Sequence, residues 1–423
     1  MKQNTTYKQT ELGLIPDDWE VKKLGECSSI SGDYGINAPA VKFSEDLPTY
    51  LRITDIDDDG NYSKVNKVSV KDDNSENFIL ENQDIVFART GATVGKTYLH
   101  DKKENGDLVF AGFLIRFRTN RDVLLPYYLK LYSTTDKYWN WVSVFSMRSG
   151  QPGINSTEYS NLKIPLPPLP EQKKIADCLS TWDSAIEKQS QLINALTQRK
   201  KALMQQLLTG KKRLPGFSGE WKEVKLGSIC ENFQNGNAFS AKDYKKTGIP
   251  IVTMGNINLG GYFYFSESKS NFWIEDKSLE RYEIKKGDLI IAMTDVTPEK
   301  NLIGLTSIID IDRIFYLNQR VGHIILKPKL ADTDFIFYLS QNSYWRNQCK
   351  AFATLGVQAN LGTNDIKNIN IKLPPIEEQT AIAEILATAD RELQLQKEKL
   401  AQLQQQKKGL MQVLLTGKKR LIN

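Results

Sequence analysis

LPPLPEQKKIADCLSTWDSAIEKQSQLINALTQRKKALMQQLLTGKKRL, residues 166–214, returns as LPPIEEQTAIAEILATADRELQLQKEKLAQLQQQKKGLMQVLLTGKKRL, residues 373–421, at a constant offset of 207 and without a gap. About half of the aligned positions are identical. A period of this length repeats whole domains, because solenoid repeats run to only ~20–45 residues. Within the first copy, Ile175, Leu179, Trp182, Ile186, Gln189, Ile193, Leu196, Lys200, Leu203 and Leu207 follow a strict four-three alternation. That spacing predicts a long helix with a heptad seam. The second copy repeats the seam as Ile382, Leu386, Ala389, Leu393, Gln396, Leu400, Leu403, Lys407, Leu410 and Leu414, with Gln and Lys at the same two places. A polar residue in a seam fixes register at a cost in stability, so its reuse reads as pairing geometry specified twice or as a plain copy of the duplicated segment.

Each helix opens from a proline turn (Pro167, Pro168, Pro170; Pro374, Pro375) with Glu171, or Glu377 and Glu378, in its first turn. Proline and acidic residues both suit a helix N-terminus. Each closes at Thr-Gly (Thr209-Gly210; Thr416-Gly417), glycine being the residue that tolerates a left-handed cap. The runs Lys211-Lys212-Arg213 and Lys418-Lys419-Arg420 follow, placed to compensate the helix dipole or to meet a phosphate.

Working outward, the stretch Leu14-Ile15-Pro16-Asp17-Asp18-Trp19 opens one half, and Leu214-Pro215 followed by Trp221 opens the other. Both predict a tryptophan anchor and a short strand. Strand-like runs come next in each half: 50–56, 85–89 and 113–118 in the first, 249–254, 288–294 and 321–327 in the second. One helix-like stretch follows each set, at 126–132 and 334–339. The segments Asp84–Thr90 and Asp288–Thr294 match, so the halves share a frame while most of their other residues differ.

The predicted architecture is therefore two α/β (α+β) globular domains in pseudo-twofold relation, separated by an antiparallel two-helix coiled coil. Its parts are an extension at 1–12, a first domain at 13–165, a central helix at 166–213, a second domain at 214–372 and a C-terminal helix at 373–423. A helix from Ile175 to Leu207 spans roughly 50 Å, equivalent to about 15 base pairs of duplex. With full overlap of the seams, Trp182 faces Lys407 and Lys200 faces Ala389, and Leu421-Ile422-Asn423 returns toward the first domain.

Composition narrows the function. A chain of 423 residues with net charge +6 is mildly basic, which permits an acidic partner. The N-terminus has no apolar core and no run of 18 apolar residues occurs, so a cytoplasmic location is expected. Cys27, Cys178, Cys230 and Cys349 lack CxxC spacing, and with only His100 and His323 there is almost no material for a zinc site or a Ser-His-Asp triad. Gly91-Ala92-Thr93-Val94-Gly95-Lys96-Thr97 is one residue short of a P-loop and has no counterpart in the second half. It reads as a glycine turn that either simply reverses the chain or brings its amides and Lys96 to a phosphate. Asp55, Asp57, Asp58 and Asp59 read as a solvated hairpin turn.

The LPPLPEQKKIA and LPPIEEQTAIA helix starts, the LLTGKKRLPGF and LLTGKKRLIN ends, the IPDDWEVKKLGE opening and the FARTGATVGKT segment together resemble the specificity subunit of type I restriction-modification systems. The resemblance runs from about Gly13 to the C-terminus. It implies two target recognition domains, each reading half of a bipartite sequence in the major groove, with helices as a ruler that also docks two methyltransferase (modification) subunits. Two restriction subunits then join for ATP-dependent cleavage. The chain itself is expected to be non-catalytic, since it has no [DN]-P-P-[YFW] tetrapeptide. S-adenosylmethionine, ATP and Mg are expected on the partner subunits. The competing class is a coiled-coil scaffold whose ends bind proteins.

Base edges are read by Arg, Lys, Asn or Gln. Candidates in the first domain are Arg89, Lys96, Arg148 and Gln151. In the second they are Asn318, Gln319, Arg320, Gln358 and Asn360.

Overall fold

The computed structural model describes residues 6–147, 151–295, 299–353 and 359–421. They form two compact units, one of residues 1–190 with 398–423, the other of 191–397. Each unit holds a globular part and one segment from each of the long helices.

The long helices are Leu169–Leu207 and Ile376–Leu414, each of 39 residues. Every seam position named above is buried or half-buried, while the residues between them are mostly exposed. In the first unit Ile175 and Leu179 share a core with Met411, Leu414 and Leu415, and Asp183 pairs with Lys407. The numbers rise along one helix as they fall along the other, so the segments are antiparallel. The second unit repeats this, with Leu207 and Leu208 against Ile382 and Leu386, and Lys200 paired with Asp390. The seam lysines thus meet the aspartates next to Trp182 and Ala389, not those residues themselves. A carboxylate offers an ammonium more than a ring face or a methyl does. Tyrosine completes each pair: Tyr127 donates to Asp183 at 2.7 Å and Tyr338 to Asp390 at 2.8 Å.

The helix starts explain why Glu-Gln recurs there. Gln172 is buried; its Nε2 donates to the carbonyls of Val123 and Pro167, both at 2.9 Å, and its Oε1 accepts from Leu125 N at 2.9 Å. Gln379 does the same with Leu330, Pro374 and Asp332. The neighbouring Glu171 and Glu378 are also buried. Trp19 Nε1 donates to Glu171 at 3.0 Å and Trp221 Nε1 to Glu378 at 3.1 Å. Arg420 forks onto Glu171, and Arg213 onto Glu378, each by two bonds of 2.7 Å. A buried carboxylate is tolerable only with such partners. The arginines of the basic runs are therefore internal clasps, while Lys211, Lys212, Lys418 and Lys419 stay exposed.

The globular parts are alike. In the first unit an antiparallel sheet runs in the order Ser28–Tyr34, Leu114–Thr119, Ile85–Ala88, Thr97–Leu99. In the second the order is Cys230–Asn235, Val321–Leu326, Leu289–Ala292, Thr306–Ile308. A second four-stranded sheet lies in each unit, mixed in direction. The tryptophan-anchored strands Glu20–Lys23 and Lys222–Lys225 pair with Lys163–Leu166 and Asn370–Leu373, which lead into the long helices. Two expected strands are shorter than their hydrophobic runs: 50–56 is a strand only over Thr49–Leu51 and 249–254 only over Ile249–Val252. Each passes into a 3-10 turn closed by a side chain, Asp55 bonding back to Arg52 N and Asn256 to Thr253 N. Such local bonds outcompete a ladder. The expected helices are Pro126–Tyr132 and Thr333–Ser340.

Candidate functional site

Strand Ile85–Ala88 is buried along its whole length, and the chain leaves it at Arg89 still tied on both sides. Arg89 N donates to Phe113 O at 3.0 Å, and Arg89 O accepts from Ile154 N at 2.9 Å. One residue on, Thr90 bridges to Gly153, and Gly91 N donates to Pro152 O at 3.0 Å. The loop before the helical spacer is thereby pinned beside the strand end. The Arg89 guanidinium stacks over the Tyr34 ring, 4.7 Å from its centroid. Gln151 is exposed, with Nε2 only 3.1 Å from where a side chain on Gly91 would begin. Tyr34, Arg89, Phe113 and Gln151 thus share one rim, where the ends of three adjacent strands meet the loop.

The second unit builds the same rim with the same backbone bonds. Met293 N donates to Arg320 O at 3.0 Å, and Met293 O accepts from Leu361 N at 2.8 Å. Thr294 pairs with Asn360. Ladder by ladder, Asn235 stands where Tyr34 does, Met293 where Arg89 does and Arg320 where Phe113 does. The backbone is conserved between the units while the side chains at these three positions differ. Gln319 and Arg320 are exposed on this rim, and Asn360 is exposed across from Thr294.

Of the expected residues, Arg89 and Gln151 come together in the first unit, and Gln319, Arg320 and Asn360 in the second. Asn318 does not join them: it is buried, and its Oδ1 accepts from Arg320 N at 3.2 Å, so it shapes the turn that presents Arg320. Lys96 is half-buried, with Nζ 2.6 Å from Asp58. It lines a groove of about 1470 Å³ with Lys130, Asp183 and Lys407, on the helix side of the unit. Arg148 and Gln358 lie outside the described residues. The glycine turn is a 3-10 turn over Gly91–Thr93 that runs into strand Thr97–Leu99, whereas a P-loop runs into a helix. The aspartate stretch is a hairpin turn: Asp57 Oδ1 accepts from Asp59 N and Asn61 N, and Asp55 is held by Arg52.

Tyr34, Phe113 and Asn235 carry no local sequence signal that marks them as rim residues. Tyr34 reaches Arg89 only through strand pairing with residue 115, a contact no local pattern announces. The match of Asp84–Thr90 with Asp288–Thr294 does align Arg89 with Met293, and was the signal that the two rims carry different side chains.

Two features set the electrostatics. The Glu171 carboxylate holds the Arg420 guanidinium above its ordinary range, and Arg420 holds Asp18 below the usual carboxylate range. Burial pushes Lys130 down in the groove, where Asp183 partly opposes the effect.

The model of the type I restriction modification DNA specificity domain matches this chain twice, at residues 16–198 and 218–405. The MjaVIII specificity subunit of a type I restriction enzyme from Methanocaldococcus jannaschii is 29% identical, over 99% of this chain and 96% of that one. The EcoKI specificity subunit of Escherichia coli is 23% identical, over 88% and 82%. Among solved structures, a chain from work on complex assembly and conformational transition of a type I R-M system covers 95% of this chain at TM-score 0.59 and 18% identity, with 99% of that chain matched. The type I restriction-modification S subunit of M. genitalium covers 98% at TM-score 0.56 and 14% identity, with 97% of its own length matched.

Proposed function

Since this chain belongs to the type I restriction-modification DNA specificity family, we propose that each of its two units reads one half of a bipartite duplex sequence, through the rim at its strand ends. The chain is the DNA-recognition subunit of its system and carries out no bond chemistry of its own in this reading. Methyl transfer falls to modification subunits, two in number, that bring S-adenosylmethionine. Cleavage falls to two restriction subunits that bring ATP and Mg. The long helices serve as the docking surface for the modification subunits and set the number of unread base pairs between the halves.

One observation carries this reading. The same backbone rim is built twice, and its side chains differ at the three equivalent strand-end positions, Tyr34 and Asn235, Arg89 and Met293, Phe113 and Arg320. A reader of two unlike half-sites keeps the frame and changes the contacts, because base identity is carried by the donor and acceptor pattern of each side chain.

The test is a gel shift of the purified complex of this chain with its modification subunits, on matched and random duplexes across salt. Binding that weakens steeply with salt and favours one bipartite sequence is expected. Absent or salt-insensitive binding would leave the chain a coiled-coil adaptor. Exchange of residues 13–165 for those of a relative should change one half of the methylated sequence and spare the other.

A further inference from the structure

We infer that Arg89 and Arg320 are the specificity-determining arginines, one for each half-site, and that each reads a guanine. The inference rests on the DNA-reading function above and deepens it.

Every other described arginine has an oxygen within ion-pair or hydrogen-bond distance. Arg52, Arg116, Arg118, Arg199, Arg213, Arg313 and Arg420 have carboxylates. Arg121 and Arg346 have backbone carbonyls, and Arg281 and Arg391 have hydroxyls. Among the described residues, the Arg89 and Arg320 guanidiniums have no such oxygen. A guanidinium carries five donors and gains most when they are met. Two that are left open, one in each unit, have their hydrogen-bonding capacity in reserve.

Their positions agree. Arg89 and the residue at 113 lie opposite each other, joined by the bond from Arg89 N to Phe113 O. Arg320 occupies the second of those positions in the other unit, across from Met293, joined by the equivalent bond. Each rim therefore offers one arginine, but from opposite sides of the same strand-end pair. That exchange moves the guanidinium across the rim, so the two units address different base positions even on a common docking geometry.

The surroundings favour a base edge over a phosphate. Tyr34, Phe113 and Gln151 accompany Arg89, and Asn235, Met293 and Gln319 accompany Arg320; none is charged. A phosphate track gathers several cations, whereas a base contact needs one planar fork held at a fixed angle. The Tyr34 ring under Arg89 supplies that angle and leaves the edge donors free. Guanine, with O6 and N7 side by side, is the base edge that accepts such a fork.

The experiment uses the complex with modification subunits and a duplex library randomised in both half-sites, with methylation read base by base. Arg89→Ala should lower the preference for one G·C pair about ten- to a hundredfold in one half-site and leave the other half unchanged. Arg320→Ala should do the same in the opposite half. The untouched half in each variant reports that the chain folds and assembles. Arg89→Lys keeps the charge without the fork and should relax the same position. Unchanged preference in the alanine variants would overturn the assignment, as would an equal loss on all sequences with a shallower salt slope, which marks a phosphate contact. Full preference in Arg89→Lys would overturn the bidentate reading. A wild-type complex with no half-site preference would overturn the DNA-reading function itself, a failure distinct from that of the arginines.

Discussion

Arg420 and Glu171 stand 249 residues apart in sequence and are joined by two bonds of 2.7 Å, with the guanidinium also forking onto Asp18 at 2.8 Å. The end of the chain is thereby clasped to the start of the first long helix and to the opening of the first globular part. Arg213 and Glu378 make the corresponding clasp in the second unit.

Removing Arg420 leaves a buried carboxylate with, among the described residues, only Trp19 Nε1 and a long contact to Leu421 N. Arg420→Ala should cost about 3–5 kcal/mol in the first unit. Urea unfolding followed by near-ultraviolet signals from Trp19 and its neighbours measures it. An unaltered midpoint in that variant would mean the clasp contributes nothing. Arg213→Ala should destabilise the second unit in the same direction.

Lys407 and Asp183 make the second prediction. Lys407→Glu places two carboxylates against each other beside Tyr127 and should weaken the helix pair in the first unit. The double exchange Asp183→Lys with Lys407→Asp should restore most of the loss. Failure of the double variant to recover, measured by melting temperature against both single variants, argues that the pair is not the determinant.

His100 gives a pH dependence. It is fully buried, its Nδ1 lies 3.1 Å from Tyr98 Oη, and burial holds its pKa below the ordinary value of 6.5. In the window just below 6.5 the unfolded chain binds more protons than the folded one, so stability falls as pH falls. The contribution is complete above 6.5 and lost on descent toward the lowered folded value. Asp18, also lowered, acts only in the more acid carboxylate range and in the same direction. Urea midpoints of the wild type should drop between pH 7 and pH 5 more steeply than those of His100→Asn. Equal slopes refute this.

Two cap glycines separate strain from crowding. Gly210 and Gly417 have φ of +68° and +73°, so alanine at either meets the left-handed penalty of about 1–2 kcal/mol. At Gly417 an added Cβ would also lie 2.4 Å from Pro16 Cδ, whereas at Gly210 its nearest neighbour is the Trp221 ring at 3.4 Å. Gly417→Ala should therefore be clearly more destabilising than Gly210→Ala. Similar thermal shifts for the two would show that Pro16 yields without cost.

The duplication was legible as direct residue identity at an offset of 207, and the long helices, their seams, their proline starts and their glycine ends because each depends on neighbours within a few residues. Periodicity, capping and local φ preference are short-range physics. The candidate site was partly legible: Arg89, Gln151, Gln319, Arg320 and Asn360 lie on the rims, while Asn318 shapes a turn and Lys96 pairs with Asp58 in the groove. Residue type states what a side chain offers, and only its surroundings state whether the offer is already taken.

What the sequence determined by itself is a chain built twice, with heptad helices and two similar mixed globular parts. The tertiary structure alone decided that the seam lysines meet Asp183 and Asp390, that Arg213 and Arg420 turn inward, and that Arg89 and Arg320 keep no oxygen partner among the described residues. The reason is physical. Helix and cap preferences are settled by covalent neighbours, whereas the partner of a charged group is whichever opposite charge or donor the folded chain brings within about 3 Å, from any distance along the sequence.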